Sequence, residues 1–226
     1  MSGSSTPMGR DATWRIYAVV VGVGVACGTL ILLVRDSTSR RIADNRLAFR
    51  DRAALAVLPG AEHIAALVAG PDGRLRPADA APSDGEILAG YDAEGTLIGV
   101  AIEATGRGYQ DTIRLIYGYS PSRRAILGFR ILESRETPGL GDRVETDDAF
   151  RDQFDGLPVR ASDDGGGLRQ EIRFAGSGPA REPHQIAGIS GATVTSRAVT
   201  VAIADSAGRW VPRIDADYQA WDRYRP

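Results

Sequence analysis

Seven residues near the C-terminus, Ser190-Gly191-Ala192-Thr193-Val194-Thr195-Ser196, place four hydroxyl side chains beside two very small residues. Several chemistries suit such a cluster. The simplest is a helix start, in which Ser190 or Thr193 caps unmet backbone amides while "AVTVAIA" supplies the first buried face. The same geometry makes an anion site, because helix amides and the helix field favour a phosphate. That field is worth only about 0.3–1 kcal/mol, reaching ~2 when partly buried, whereas micromolar binding needs about 8 kcal/mol. A loosely held phosphate therefore needs further ligands, and the chain has no Gly-Lys-Ser/Thr loop, no dinucleotide fingerprint and no lysine. A threonine hydroxyl that carries the phosphate covalently meets the same demand. Nucleophilic serine chemistry fits poorly. Gly188-Ile189-Ser190-Gly191-Ala192 is one residue short of a nucleophile elbow, and both histidines, His63 and His184, precede the serine, against the chain order of that fold.

Fifty residues upstream lies a second pattern, Glu136-Thr137-Pro138-Gly139-Leu140-Gly141-Asp142. Pro138 fixes a turn, and Gly139 and Gly141 permit close backbone approach, either to a ligand or simply within a tight strand-to-helix link. Glu136 is a candidate for a ligand contact or for an arginine partner. Tyr109, Tyr117 and Tyr119 could flank a planar ring, although alternate tyrosines on a strand more simply mark one sheet face.

The elements that must position these residues follow from the hydrophobic pattern. Residues 1–13 read as a disordered lead. Ile16 to Val34 is a run of nineteen residues without a charge, eleven of them Val, Ile or Leu, and is long enough to cross a bilayer as a transmembrane helix over 14–35. A cleaved signal peptide has a shorter apolar core and a small-residue cleavage site, which Leu32-Leu33-Val34-Arg35 lacks. A stalk helix over 36–60 ends at Pro59-Gly60. Residues 70–86 read as a linker rich in Pro, Gly and Asp. Two hairpin signatures within 87–134 predict an antiparallel meander, followed by an acid-capped helix near Asp147–Phe154. A strand near Leu168–Phe174 and a final helix from about Thr193 complete an α+β domain over 61–226.

Composition narrows the partners. Net charge is −2 and all 27 basic residues are arginine, so there is no basic surplus for nucleic acid. The single cysteine, Cys27, excludes an intrachain disulfide and a multi-cysteine metal or iron–sulfur site.

With "ETPGLGD" and "SGATVTS" in this order and spacing, behind one apolar span and a glycine-rich meander, the chain resembles the G subunit of the Rnf electron-transport complex. It is more distantly similar to the C subunit of the sodium-pumping NADH:quinone oxidoreductase. The resemblance implies an FMN-binding domain with FMN joined to Thr193 through a phosphoester, which makes the chain a phosphoprotein, installed by a separate flavin transferase. Ser190, Gly191 and Ala192 would surround that phosphate. Thr195 and Ser196 would contact it or cap the helix, and Glu136, Thr137, Pro138, Gly139 and Leu140 would form a loop at the isoalloxazine ring. It further implies a translocase component that is not catalytic alone and relays electrons between ferredoxin and NAD in a complex that moves ions. Its partners would be other membrane and cluster-bearing subunits and membrane lipid. The expected place is the bacterial inner membrane, single-pass, with the N-terminus cytoplasmic and the FMN domain periplasmic. The arginine count alone favours the opposite orientation: two arginines, Arg10 and Arg15, precede the span and five follow it up to Arg50. One position departs from the motif. Ala187 stands where the family commonly has an aspartate, three residues before the serine, which keeps open a non-flavinylated structural or phosphate-binding role.

Overall fold

The structure is a computed structural model that describes residues 10–70, 75–78, 85–218 and 221, without the side chains of 10–13 and 40. Residues 1–9 of the expected lead, and 71–74 and 79–84 of the expected linker, lie outside the described residues. The chain divides into two units, 1–48 and 49–226.

The first unit is helical throughout its described residues and belongs to α1 (Arg10–Val57). Its apolar side chains between Ile16 and Val34 are exposed, as lipid-facing side chains must be. Nineteen residues rise about 28 Å, close to the hydrocarbon thickness of a bilayer. Where the run ends, the Ser37 and Thr38 hydroxyls donate to the Val34 carbonyl oxygen at 2.9 and 2.7 Å. The first hydroxyl side chains after the span are thus satisfied by the helix itself.

The second unit is built on a seven-stranded antiparallel sheet. Its strands in chain order are β1 (His63–Ala69), β2 (Leu75–Pro77), β3 (Glu86–Tyr91), β4 (Leu97–Arg107), β5 (Thr112–Ser120), β6 (Ala125–Glu133) and β7 (Leu157–Pro158). Their spatial order is β2-β1-β3-β4-β5-β6-β7. The expected meander is β3 to β6, and it extends on both sides. His63–Ala69 pairs along β3, and Leu75–Pro77, inside the expected linker, adds an edge strand. Between β6 and β7 lie α2 (Arg143–Thr146), α3 (Asp148–Arg151) and a 3-10 turn at Asp152–Phe154. Asp147 caps α3 by accepting from the Phe150 amide at 3.1 Å. The expected strand at 168–174 shrinks to a bridge at Leu168 and a two-residue strand, β8 (Arg173–Phe174), which pairs in parallel with β9 (Gln185–Ile186). The last helix among the described residues of this unit is α4 (Thr193–Asp217).

Two layers cover the sheet. On one face α4 packs over β4 and β5, burying Tyr117, Tyr119, Val199, Ile203 and Ile214. The other face receives the end of α1, where Ala54, Val57 and Leu58 meet Leu88, Ala101 and Ile116. Glycines in the strands make that approach possible. A Cβ at Gly118 would fall on the Val57 carbonyl oxygen, and one at Gly99 would lie 2.9 Å from Leu58 Cδ2. The Arg50 guanidinium meets the Glu86 carboxylate at 3.0 Å beside this contact.

Candidate functional site

Both motifs form the same kind of turn. In Ile189-Ser190-Gly191-Ala192 the Ala192 amide donates to the Ile189 carbonyl at 3.0 Å, and Gly191 holds φ +85°. In Thr137-Pro138-Gly139-Leu140 the Leu140 amide donates to the Thr137 carbonyl at 3.1 Å, with Gly139 at φ +77°. A positive φ at the third residue defines a type II turn, and proline at the second pre-sets the first. Gly139 and Gly191 are therefore demanded by backbone shape.

Gly141 serves differently from the expectation that it lets an amide approach a ligand. A Cβ there would fall on the Glu136 carboxylate, 2.7 Å from Glu136 Cβ and 3.0 Å from Thr195 Oγ1. At Gly108 a Cβ would lie 2.5 Å from Glu136 Oε1. The two glycines make room for one buried carboxylate.

Glu136 is only 8% exposed and has no arginine partner among the described residues. Its Oε1 accepts from the Gln110 amide at 2.9 Å and more distantly from Asp111 at 3.5 Å; Oε2 accepts from Thr195 Oγ1 at 2.7 Å and from the Tyr109 amide at 3.3 Å. Burial alone would raise its pKa, but the Thr195 hydroxyl and the amides of Gln110, Tyr109 and Asp111 outweigh it and hold the carboxyl below its ordinary value. One charged group thus ties the β4–β5 loop, the turn at 137–140 and the first turn of α4.

The hydroxyl cluster divides its labour. Helix α4 begins after Ala192, which makes no side-chain cap, so neither Ser190 nor Thr193 takes the capping role that the sequence allowed. Thr195 is committed to Glu136. Ser196 Oγ accepts from the Ile189 amide at 3.1 Å and donates to the Ala192 carbonyl at 2.9 Å, closing the turn onto the helix. Ser190 is exposed, and its carbonyl oxygen accepts from Arg143 at 2.9 Å. Thr193 is half-buried; its Oγ1 lies 3.1 Å from Ser177 Oγ and 3.4 Å from the Ile189 carbonyl. At Ala187 the backbone is gripped by Gln153, whose side-chain amide accepts from the Ala187 N–H at 2.7 Å and donates to its carbonyl at 3.1 Å.

Between the motifs is a cavity of about 290 Å³ lined by Tyr109, Glu136, Thr137, Leu140, Gly141 and residues 191–195. Its rim is apolar and open: Tyr109 is 74% exposed, Leu140 52% and Val194 50%. Pro138 and Gly139 shape the turn beneath this rim without lining the cavity, and Ser190 and Ser196 lie outside its lining as well. Tyr117 and Tyr119, entertained as ring neighbours, are buried in the core. Their hydroxyls bond Ser206 Oγ at 3.1 Å and Asp215 Oδ1 at 2.8 Å, so the sheet-face reading of alternate tyrosines holds. Sequence reasoning missed Ser177, Arg143 and Gln153, which reach the site from 16 to 47 positions away and carry no local signature.

The residues fit an FMN. Small-molecule sites usually span about 300–1,000 Å³, so a groove of this size with an apolar rim accepts part of a planar ring and leaves part outside. The amides of residues 193–195 have no partner within the helix by helix geometry, which suits a phosphate. Thr193 lies at the junction of both features.

Comparison with known proteins agrees. Residues 108–207 match the FMN-binding domain family. The G subunit of the ion-translocating oxidoreductase complex of Pseudomonas aeruginosa is 31% identical over 211 residues, covering 86% of this chain and 84% of that protein. Its namesake in Methanosarcina acetivorans is 33% identical over 114 residues, about half of each chain. The crystal structure of the C subunit of the Na(+)-translocating NADH-quinone reductase from Parabacteroides distasonis shares the fold at 16% identity, with a TM-score of 0.57 over 77% of this chain and 96% of that one. The domain match and a similarity that covers most of both chains converge: this chain belongs to the G-subunit family of ion-translocating oxidoreductase complexes.

Proposed function

We propose that this protein is a membrane-anchored flavoprotein subunit that carries FMN as a phosphoester on Thr193 and relays electrons inside an ion-translocating oxidoreductase complex. The observation that carries this reading is the place of Thr193. Its hydroxyl is half-buried at the edge of the apolar-rimmed cavity, on the first residue of a 25-residue helix that no side chain caps. Bound FMN supplies redox chemistry at its ring. The protein supplies the rest. Tyr109, Leu140 and Val194 offer apolar surface to the ring, the first amides of α4 face the phosphate, and Glu136 holds the loops in register. Four donors meet the Glu136 charge within the protein, which holds the carboxylate in place beside the cavity. A covalent ester also removes the need for tight binding, so an open groove suffices.

The apolar span of α1 anchors the domain in a membrane. The relatives' place in an ion-translocating oxidoreductase complex supports partner subunits in such a complex; that those partners bear the remaining redox centres, that a flavin transferase matures the chain, that the N-terminus lies inside with the flavin domain periplasmic, and that electrons pass between ferredoxin and NAD with ion movement belong to the same proposal. Ala187 favours one second reading, a member of the same complex that keeps the fold without covalent flavin.

One experiment separates them. The full-length chain is expressed in a host with an active flavin transferase, denatured, and assayed for in-gel flavin fluorescence, with mass mapping of the peptide that contains Thr193. The expected result is an FMN adduct on Thr193 that disappears in Thr193→Ala. An unmodified peptide would favour the second reading.

A further inference from the structure

Ser177 is absent from both motifs, yet its Oγ lies 3.1 Å from Thr193 Oγ1. The fold brings it there by a short, specific device. Strands β8 and β9 run parallel with Arg173 opposite Gln185 and Phe174 opposite Ile186. Backbone bonds extend the pairing: Arg173 N–H to His184 at 2.9 Å, Ala175 N–H to Ile186 at 2.9 Å and Gly188 N–H to Gly176 at 2.7 Å. Side chains lock the same arm onto α4. The Phe174 ring packs so closely on Gly188 that a Cβ there would lie 2.6 Å from it, and the Arg197 guanidinium sits over the ring, 5.3 Å from its centroid. Ser177 is the first residue beyond the last ladder bond. The pair contributes the fully buried Ile186 to the core, and it ends with the Ser177 hydroxyl beside Thr193.

We propose that Ser177 is a positioning residue for flavin attachment, its hydroxyl orienting Thr193 Oγ1 during transfer and then donating to the ester phosphate. This rests on the reading that Thr193 carries FMN. Condensing an alcohol with a phosphate monoester is uphill in water, so the flavin phosphate arrives activated, as the anhydride of a flavin dinucleotide. Thr193 Oγ1 attacks the flavin-side phosphorus and forms the new O–P bond. The pyrophosphate O–P bond breaks, the nucleoside monophosphate leaves with the bridging oxygen, and the hydroxyl proton passes to solvent or to the transferase. No oxidation state changes. In this step Ser177 accepts a hydrogen bond from the Thr193 hydroxyl or donates one to Oγ1, fixing its rotamer. Once the ester forms, Thr193 has no hydrogen left to give, and Ser177 turns donor.

The test is a single-turnover time course. The full-length chain in detergent, a purified flavin transferase and FAD are mixed, and covalent flavin is followed by in-gel fluorescence and intact mass. Ser177→Ala is expected to slow attachment about 3–10-fold, the effect of one hydrogen bond on a barrier. Ser177→Thr, which keeps the hydroxyl, restores the rate to within about twofold of the parent. Thermal unfolding of both variants matches the parent, because the Ser177 side chain is exposed. Equal rates for Ser177→Ala and the parent would overturn the role of Ser177 while leaving the adduct on Thr193 intact. Flavin that persists in Thr193→Ala, or never forms in the parent, would remove the reading beneath it as well.

Discussion

Two carboxylates at opposite ends of α4 each accept a hydroxyl hydrogen, and they respond in opposite directions. Glu136 takes its bond from Thr195 in the first turn of the helix at 2.7 Å; Asp215, near the last turn, takes one from Tyr119 at 2.8 Å. Burial works on both in the same sense, raising the pKa. Around Glu136 the Thr195 hydroxyl and three backbone amides reverse it, and the carboxyl ends below its ordinary value. Around Asp215 the Tyr119 bond, the charge of Arg124 and the Ala161 amide do not, and the carboxyl ends above it. Burial likewise pushes the Tyr119 phenol up, and the neighbouring Asp215 charge pushes it further. The difference is one of donors aimed at the charge. At the N-terminal end of α4 the protein surrounds a carboxylate with one hydroxyl and three backbone amides; at the far end it has a helix latch that tolerates an uncomfortable charge.

The largest expected break in this comparison is Glu136→Ala. It strands the Thr195 hydroxyl and the loop amides at a largely buried site. Hydrogen bonds to a charged group are worth about 1.5–3 kcal/mol each, and unmet buried donors carry their own cost. A net loss of about 3 kcal/mol is expected, lowering the unfolding midpoint of the full chain in detergent by about 6–12 °C. The pH profile carries the sign. A depressed folded pKa contributes stability that is present above the ordinary value near 4.5 and is lost as pH falls through the folded value. The gap between parent and variant should therefore close in acid; a gap independent of pH would mean that Glu136 acts through packing alone.

Gly141→Ala attacks the same carboxylate site from its space rather than its charge. The added Cβ displaces the carboxylate or the Thr195 hydroxyl, and overpacking of a tight site costs about 1–3 kcal/mol. Gly139→Ala, with φ +77° and nothing within 4 Å of its Cβ position, is expected to cost less, about 1 kcal/mol from backbone strain alone. Urea unfolding of the two variants side by side measures the ordering. If Gly139→Ala proved the worse, the glycines of this motif would be turn residues first and carboxylate neighbours second.

The sheet was legible in the sequence because hairpins announce themselves locally. Asp92 to Gly95 between alternating apolar runs predicts β3 and β4, and Ser120-Pro121-Ser122 predicts the turn between β5 and β6. Thr193 as a helix start and Asp147 as a cap were equally local. Three features were not. The strand at Leu75–Pro77 is set by pairing with β1, which no local pattern reveals. The sharing of hydroxyls among Glu136, Ser177 and the turn at Ile189 depends on which loops meet over the cavity. Ala187 departs from the expected motif in side chain, yet its backbone is held at both its N–H and its carbonyl by Gln153 from the 3-10 turn after α3, 34 positions earlier in the chain. Long-range closure of this kind is a property of the packed fold, and single-residue spacing has no access to it.

The smallest expected effect sharpens the comparison from the other end. Asp215→Asn keeps an oxygen to accept from Tyr119 and removes the charge. Because the folded pKa of Asp215 is raised, the native state binds its proton more tightly than the unfolded chain does. The associated stability is fully present below the ordinary value near 3.8 and is lost as pH rises through the folded value. Near pH 7, then, the parent bears a charge it would rather not hold, and the variant should be as stable or more stable by about 0.5 kcal/mol. As pH falls through the folded value of Asp215, the parent should gain on the variant, opposite to the trend for Glu136. Thermal midpoints of parent and variant across the acid range test this. A parent more stable than the variant at pH 7, with the advantage shrinking in acid, would make Asp215 a second carboxylate whose charge its donors hold and erase the distinction between the two ends of α4.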